Sequence, residues 1–105
     1  AIGSPGGRTI INTSLQVVLN MLDHGMNMAE AIEAGRIHHQ WLPDQTSYEE
    51  SLFSVDVIKT YESMGHSTSP RGGQGSAMGI WIDWEAGIKY GASDSRSSQG
   101  SAAGY

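Results

Sequence analysis

The chain has 105 residues, of which 38% are hydrophobic, 16% are charged and 14 are glycine, and it contains no cysteine. A net charge of −5 with only six scattered Lys and Arg residues argues against nucleic acid as a partner, because phosphate contacts need clustered positive charge. No apolar run approaches the roughly 18 residues of a membrane span, and the lack of cysteine excludes disulfides and a thiol nucleophile.

Apolar residues at helical spacing predict an amphipathic helix over 12–24 that packs on a core and ends at Gly25. The residues of this row are Leu15, Val18, Leu19 and Leu22. Asn27 and Glu30 have the spacing of a capping box, which predicts the start of a second helix directly afterwards.

The rest of the chain is richer in strand and turn signals. Residues 36–43 read as an extended, partly buried connection, and a short strand is expected over 45–48. A third helix begins at Ser54 and ends at Gly65. Two strands over 77–83 and 88–92 form a hairpin that should join a larger sheet, since two strands alone are a poor sheet. The fold class is therefore α+β, with helices first and a β-hairpin near the C-terminus.

Glycines directly before the first helix are the main candidate for chemistry. In Gly3-Ser4-Pro5-Gly6-Gly7-Arg8, the amides of Gly6 and Gly7 could form an oxyanion hole or a carboxylate nest, with Arg8 adding positive charge. The alternative is a tight turn without chemistry, and because glycine pairs mark ordinary turns, these residues alone favour the turn.

Other polar and aromatic groups carry weaker signals. His38 and His39 are adjacent, so in an extended segment they point to opposite faces, which favours structural histidines over a zinc site. We predict no metal and no cofactor. Trp81 and Trp84 flank the hairpin turn and are interpreted as packing residues. The segment 91–96 is either a polar cluster in a pocket or a solvated loop, and its composition favours the loop.

Five ordered blocks nevertheless resemble the C-terminal part of the small subunit of γ-glutamyltranspeptidases, which are N-terminal nucleophile hydrolases. The blocks are Gly3 to Ile10, Leu15 to Ala31, Arg36 to Asp44, Met64 to Ala77 with gaps, and Tyr90 to Arg96, with Gly104-Tyr105 at the end. Residues 1–105 are accordingly expected to be a single C-terminal segment that is incomplete without upstream residues.

The resemblance implies part of a four-layer αββα fold in which an upstream threonine attacks a γ-glutamyl amide and passes the acyl group to water or an amine. In that family the glycines matching Gly6 and Gly7 donate amides to the oxyanion, which reverses the preference for a plain turn. Arg8 and Arg96 are candidates for contacts to substrate carboxylates, although either could instead hold an aspartate such as Asp94 or Asp44.

The family's nucleophile lies upstream of the glycine block, so this chain is not expected to be active alone. Implied partners are the remaining small-subunit segment and the large subunit of the same precursor, with a glutathione-like γ-glutamyl compound or poly-γ-glutamate as substrate. Helix and hairpin should then expose apolar faces. A periplasmic, secreted or cell-surface location is implied by the resemblance only. The alternatives are a segment of a cephalosporin-type acylase and a non-catalytic association module.

Overall fold

The computed structural model describes residues 1–104. Its three α-helices lie where the sequence predicts helices. They are α1 (Ile10–Leu22), α2 (Met28–Glu33) and α3 (Val55–Ser63). The capping box before α2 is confirmed: Glu30 N–H donates to Asn27 Oδ1 at 2.9 Å, and Asn27 N–H donates to Glu30 Oε2 at 3.0 Å. No helix in this part of the chain is both long and apolar enough to span a bilayer.

Within residues 1–104, six strands form two three-stranded sheets. They are β1 (Ile2–Gly3), β2 (Ile37–His38), β3 (Thr46–Glu49), β4 (Thr68–Arg71), β5 (Met78–Asp83) and β6 (Ile88–Ser93). The sheet orders are β1-β5-β6, which is antiparallel, and β2-β3-β4, in which β3 and β4 are parallel. The α+β class and the hairpin are confirmed, whereas β4, which pairs with a strand far away in the sequence, was not predicted.

The described chain divides into two compact units, residues 1–34 with 75–104 and residues 35–74. In the first unit, α2 packs on β5 and β6. Its small core consists of Val17, Met28, Ala31, Ile32 and Ala77. Met28 lies directly against Gly79 in β5, where a side chain would occupy the space of the methionine sulfur.

The prediction that the apolar row of α1 packs on a core is wrong for the described residues. Thr13 and Val17 are the buried residues of this helix, whereas the apolar row that includes Leu15 and Leu22 is exposed, at 51% and 66% for these two residues. The periodicity shows that this row is apolar, but not which neighbour covers it, and no residue among 1–104 does so. The expectation that the helix and the hairpin expose apolar faces is confirmed, since Ile80 and Tyr90 are also exposed.

The interpretation of residues 91–96 as a solvated loop is also wrong, because Asp94 is only 1% exposed. Its carboxylate accepts the Ala77 N–H at 2.7 Å and pairs with the Arg96 guanidinium at 3.1 Å. Arg96 in turn donates to the carbonyls of Ile32 and Ala34 at the end of α2, at 3.1 and 3.0 Å. A cation at a helix C-terminus is favourable, because the last carbonyls have no partner inside the helix.

The second unit, residues 35–74, has a polar interior. The buried Glu49 carboxylate accepts the backbone N–H of Arg36 at 2.8 Å and that of Gln74 at 2.6 Å. The Arg36 guanidinium donates to the Gln74 carbonyl at 2.7 Å. At the start of α3, a hydrogen bond from the Ser54 side chain and further ones from backbone amides hold the pKa of Asp56 below its ordinary value.

The two tryptophans of the hairpin differ. Trp81 lies opposite Tyr90 in the β5–β6 register, which agrees with a cross-strand packing role. Trp84 is 84% exposed, so for this residue the packing interpretation is wrong within the described chain.

Removing the Asp94 carboxylate tests the buried ion pair. We expect Asp94→Ala to lower the free energy of unfolding by about 3–5 kcal/mol, because it leaves the Arg96 charge and the Ala77 amide without their partner. Urea denaturation measures the loss.

The matched control is Asp44→Ala, since Asp44 pairs with His39 at the same 3.1 Å but is 92% exposed. An exposed pair contributes about 0–1 kcal/mol. Equal losses in the two variants would contradict a special role for the buried pair.

Candidate functional site

The glycine loop, residues 4–9, connects β1 to α1 and has an unusual backbone. Gly6 has a φ of 136° and Gly7 a φ of 55°, and both lie in the region that residues with side chains rarely adopt. A Cβ on Gly6 would overlap the Thr9 hydroxyl, whereas a Cβ on Gly7 would meet open space. The chain therefore needs glycine at position 6 for space as well as for conformation.

Two consecutive backbone amides of this loop are available for a ligand. Neither the Gly6 N–H nor the Gly7 N–H donates to any acceptor among residues 1–104. The carbonyls on the same peptide groups are bonded: the Gly6 carbonyl accepts Thr9 N–H at 3.1 Å and Thr9 Oγ1 at 3.0 Å. The Pro5 carbonyl accepts Ser4 Oγ at 2.8 Å. The loop thus presents donors outward while its acceptors are occupied.

The loop is also tied to the turn before β5. Ser76 N–H donates to Ser4 Oγ at 3.1 Å. Gly75, with a φ of 69°, leaves room for this contact, since a Cβ there would lie 2.9 Å from Ser4 Oγ and 2.8 Å from Thr13 Oγ1. Ser4 therefore connects two glycine-containing turns of the first unit.

The electrostatics around the loop favour an anion. Arg8 is exposed, and its guanidinium has no hydrogen-bond partner within the described part of the chain. The first 22 residues contain no Asp or Glu. The start of the 13-residue α1 adds a partial positive charge at the same end of the loop. Amide donors, a cation and a helix start together suit a developing oxyanion or a carboxylate.

The four predicted site residues do not share one environment. Gly6, Gly7 and Arg8 are consecutive on the glycine loop, as the sequence requires. Arg96 instead holds Asp94 and the end of α2, which is the alternative that the sequence left open for it. Sequence reasoning missed Ser4 and Thr9, although hydroxyl residues flanking a glycine turn are a known signal for bonds to its backbone.

The histidines have separate surroundings. His38 is buried and its Nε2 lies 3.1 Å from Gln40 Oε1, while the more exposed His39 pairs with Asp44. Within residues 1–104, no group of three His, Asp or Glu side chains is arranged to hold a metal ion.

A concavity of about 1000 Å³ lies elsewhere in the first unit, between the start of α2, β6 and residues 102–104. Ala29, Ile88 and Tyr90 are among the residues that line it, and none of the four predicted site residues does. Its lining is mixed, since Asn27 and Lys89 also contribute to it, and it includes neither glycine of the loop. The glycine loop, whose two amides have no acceptor in the described chain, is the better candidate for chemistry.

Comparison with known proteins identifies the family of this chain. A family model for γ-glutamyltranspeptidase matches residues 1–105. The chain is 47% identical over 103 residues to the glutathione hydrolase proenzyme of Escherichia coli (strain K12), which covers 98% of this chain and 17% of that protein.

Solved structures give the same result. The T380A mutant of Helicobacter pylori γ-glutamyltranspeptidase is 37% identical with a TM-score of 0.82, and the match covers 91% of this chain and 53% of that one. A cephalosporin acylase from Bacillus halodurans is 25% identical with a TM-score of 0.81, over 90% of this chain and 18% of that one. The chain thus spans about a sixth of the length of its E. coli relative, and over that length it belongs to the γ-glutamyltranspeptidase family.

Proposed function

We propose that residues 1–105 are the C-terminal segment of a γ-glutamyl acyl-transfer enzyme and supply its oxyanion hole. The observation that carries this proposal is the pair of consecutive amides, Gly6 and Gly7, which lack acceptors in the described chain and lie next to Arg8. Membership of the family supports it, because the relatives include glutathione hydrolases.

The chemistry assigned to the whole protein begins outside this segment. An N-terminal threonine upstream attacks the γ-carbonyl carbon of a γ-glutamyl amide, with its own α-amine taking the hydroxyl proton. A C–O bond forms and the carbonyl electron pair moves onto oxygen. Collapse of this intermediate expels the amine, which takes the proton, and leaves an acyl-enzyme. Water or an acceptor amine then repeats the addition and releases the glutamyl product.

The Gly6 and Gly7 amides act twice in this sequence, once for each tetrahedral intermediate. Donors aimed at the position of the oxyanion stabilise charge that the substrate carbonyl does not yet carry, so they lower the barrier rather than tighten binding. Arg8 adds positive charge beside them. For Arg96 we propose support of the scaffold rather than contact with substrate, because Asp94 and the end of α2 hold its guanidinium.

The partners follow from the exposed apolar faces. Met78 and Ile80 alternate with Gly79 along β5, and Gly79 faces Met28 of α2, so the other two point to the opposite face of the sheet. They are 45% and 50% exposed there. We assign this face to a second sheet in a four-layer αββα fold, formed with the remaining small-subunit segment and the large subunit of the same precursor.

Two other functions remain as alternatives. The similarity to a cephalosporin acylase supports a related acylase with a different substrate pocket. A non-catalytic association module would use the same apolar faces without chemistry. The acylase alternative is tested by comparing the release of aniline from a γ-glutamyl anilide with the hydrolysis of a cephalosporin side-chain amide. The glycine variants described next separate the second.

Two substitutions at Gly7 test the oxyanion hole in the full-length precursor. Gly7→glycolic acid exchanges the N–H for an ester oxygen, tolerates the same φ of 55°, and should lower kcat about 100- to 1000-fold. Gly7→Ala keeps the N–H, and its methyl group meets open space among the described residues, so kcat should fall less than about 10-fold. Stopped-flow measurement of aniline release from the γ-glutamyl anilide gives kcat for both variants.

The comparison is decisive because the two variants share a position. Equal turnover of Gly7→glycolic acid and the parent would remove this amide from the mechanism. Equal loss in both variants would show that the loop conformation, and not the amide, is what matters.

A charged substitution on α1 tests whether the exposed apolar face of this helix contacts the rest of the precursor. Leu15→Asp should reduce the yield of assembled, processed enzyme severalfold, because it places a charge in a face that the rest of the precursor would cover. Leu15→Met keeps an apolar side chain and is the control. Size-exclusion chromatography with gel analysis of the processed subunits measures assembly, and normal assembly of Leu15→Asp would contradict the assignment of this face.

A further inference from the structure

The two donor amides of the glycine loop belong to peptide groups that other residues hold at their opposite ends. A peptide group is planar, so the Pro5 carbonyl and the Gly6 N–H rotate together, as do the Gly6 carbonyl and the Gly7 N–H. Fixing each carbonyl therefore fixes the direction of the N–H that would face the oxyanion. Because glycine rotates more freely than any other residue, this loop needs such constraints.

Each of these carbonyls has a hydroxyl partner. Ser4 Oγ donates to the Pro5 carbonyl at 2.8 Å, and Thr9 Oγ1 donates to the Gly6 carbonyl at 3.0 Å, beside the Thr9 N–H at 3.1 Å. A hydrogen bond to a carbonyl polarises its peptide group and makes the attached N–H a better donor. The hydroxyls thus orient the two amides and strengthen them.

The Ser4 hydroxyl is itself fixed from the far side of the loop. The Ser4 hydroxyl oxygen accepts the Ser76 N–H at 3.1 Å. Because this donor occupies one lone pair of the oxygen, the hydroxyl proton of Ser4 must point in another direction. Ser76 precedes Ala77, whose N–H is held by the buried Asp94 carboxylate at 2.7 Å. Thr9 is fixed in a different way, since it is only 8% exposed and lies directly before α1.

From these contacts we infer that Ser4 and Thr9 are positioning residues of the oxyanion hole, which hold the Gly6 and Gly7 peptide planes in the orientation that stabilises the tetrahedral intermediate. The inference rests on the proposed function. It assigns no contact with substrate to either side chain, since each acts through the peptide group that it bonds.

Hydroxyl removal and restoration test the inference in the full-length precursor. Ser4→Ala and Thr9→Val each remove one hydroxyl, while Ser4→Thr and Thr9→Ser keep it. Thr60→Val is the matched control, because Thr60 Oγ1 donates to the Asp56 carbonyl at 2.8 Å in the other compact unit. Rates are expressed per nucleophile counted by burst titration, so that misfolded or unprocessed protein does not enter the comparison.

The expected result is weaker stabilisation of the transition state with unchanged binding of the substrate. Ser4→Ala and Thr9→Val should each lower kcat about 10-fold and leave KM within about twofold, since the amides remain but are less well oriented. A γ-boronic acid analogue of glutamate, which forms a tetrahedral adduct with the nucleophile, should lose affinity by the same factor. Inhibition by norvaline, which keeps the α-amino and α-carboxylate groups of glutamate but has no γ-oxygen, should not change. Ser4→Thr, Thr9→Ser and Thr60→Val should stay within about threefold of the parent.

Two results would overturn the inference. One is a kcat and a boronate affinity in Ser4→Ala and Thr9→Val that match those of Thr60→Val. The other is an equal loss of affinity for boronate and for norvaline, which indicates general damage to the site. If Gly7→glycolic acid loses turnover while both hydroxyl variants are unaffected, only the positioning role fails. If Gly7→glycolic acid is also unaffected, the proposed oxyanion hole fails with it.

Discussion

The buried Asp94 carboxylate is the contact on which the first compact unit depends. It satisfies the Ala77 amide before β5 and neutralises Arg96, which in turn holds the last carbonyls of α2. Removing two charges from water is costly, and the cost is offset here because both carboxylate oxygens are hydrogen-bonded. Since Ala77 follows Ser76, the partner of Ser4, the same carboxylate also supports the glycine loop from which the chemistry is proposed.

The predictions from sequence succeeded where the signal is local. The Asn27–Glu30 capping box and the hairpin over 77–92 depend on neighbours within a few residues, so the pattern contains the information. Failures occurred where a distant partner decides. The α1 row is apolar whichever element covers it, and residues 91–96 look like a solvated loop until the end of α2 and Ala77 are placed beside Asp94. The glycine pair could be located by pattern, but which carbonyls the Ser4 and Thr9 hydroxyls bond depends on the folded loop.

The exposed apolar surface of this segment agrees with the small share of its relatives' length that the segment spans. The chain spans 17% of its E. coli relative, and under the proposed function other parts of the precursor cover α1 and the outer face of β5. The small core of five residues is what one would expect of a part of a layered fold, in which most burial comes from contacts between layers. The Gly6 and Gly7 amides of the glycine loop have no acceptor among residues 1–104, in accord with a site completed by other parts of the protein.

A crystal structure of the full-length protein with a γ-boronate adduct on its nucleophile tests the central claim most directly. The account predicts that one adduct oxygen lies about 2.7–3.1 Å from both the Gly6 and Gly7 nitrogens, with the Ser4 and Thr9 hydroxyls still on the Pro5 and Gly6 carbonyls. An adduct oxygen bonded to other groups, with both glycine amides facing water, would contradict it.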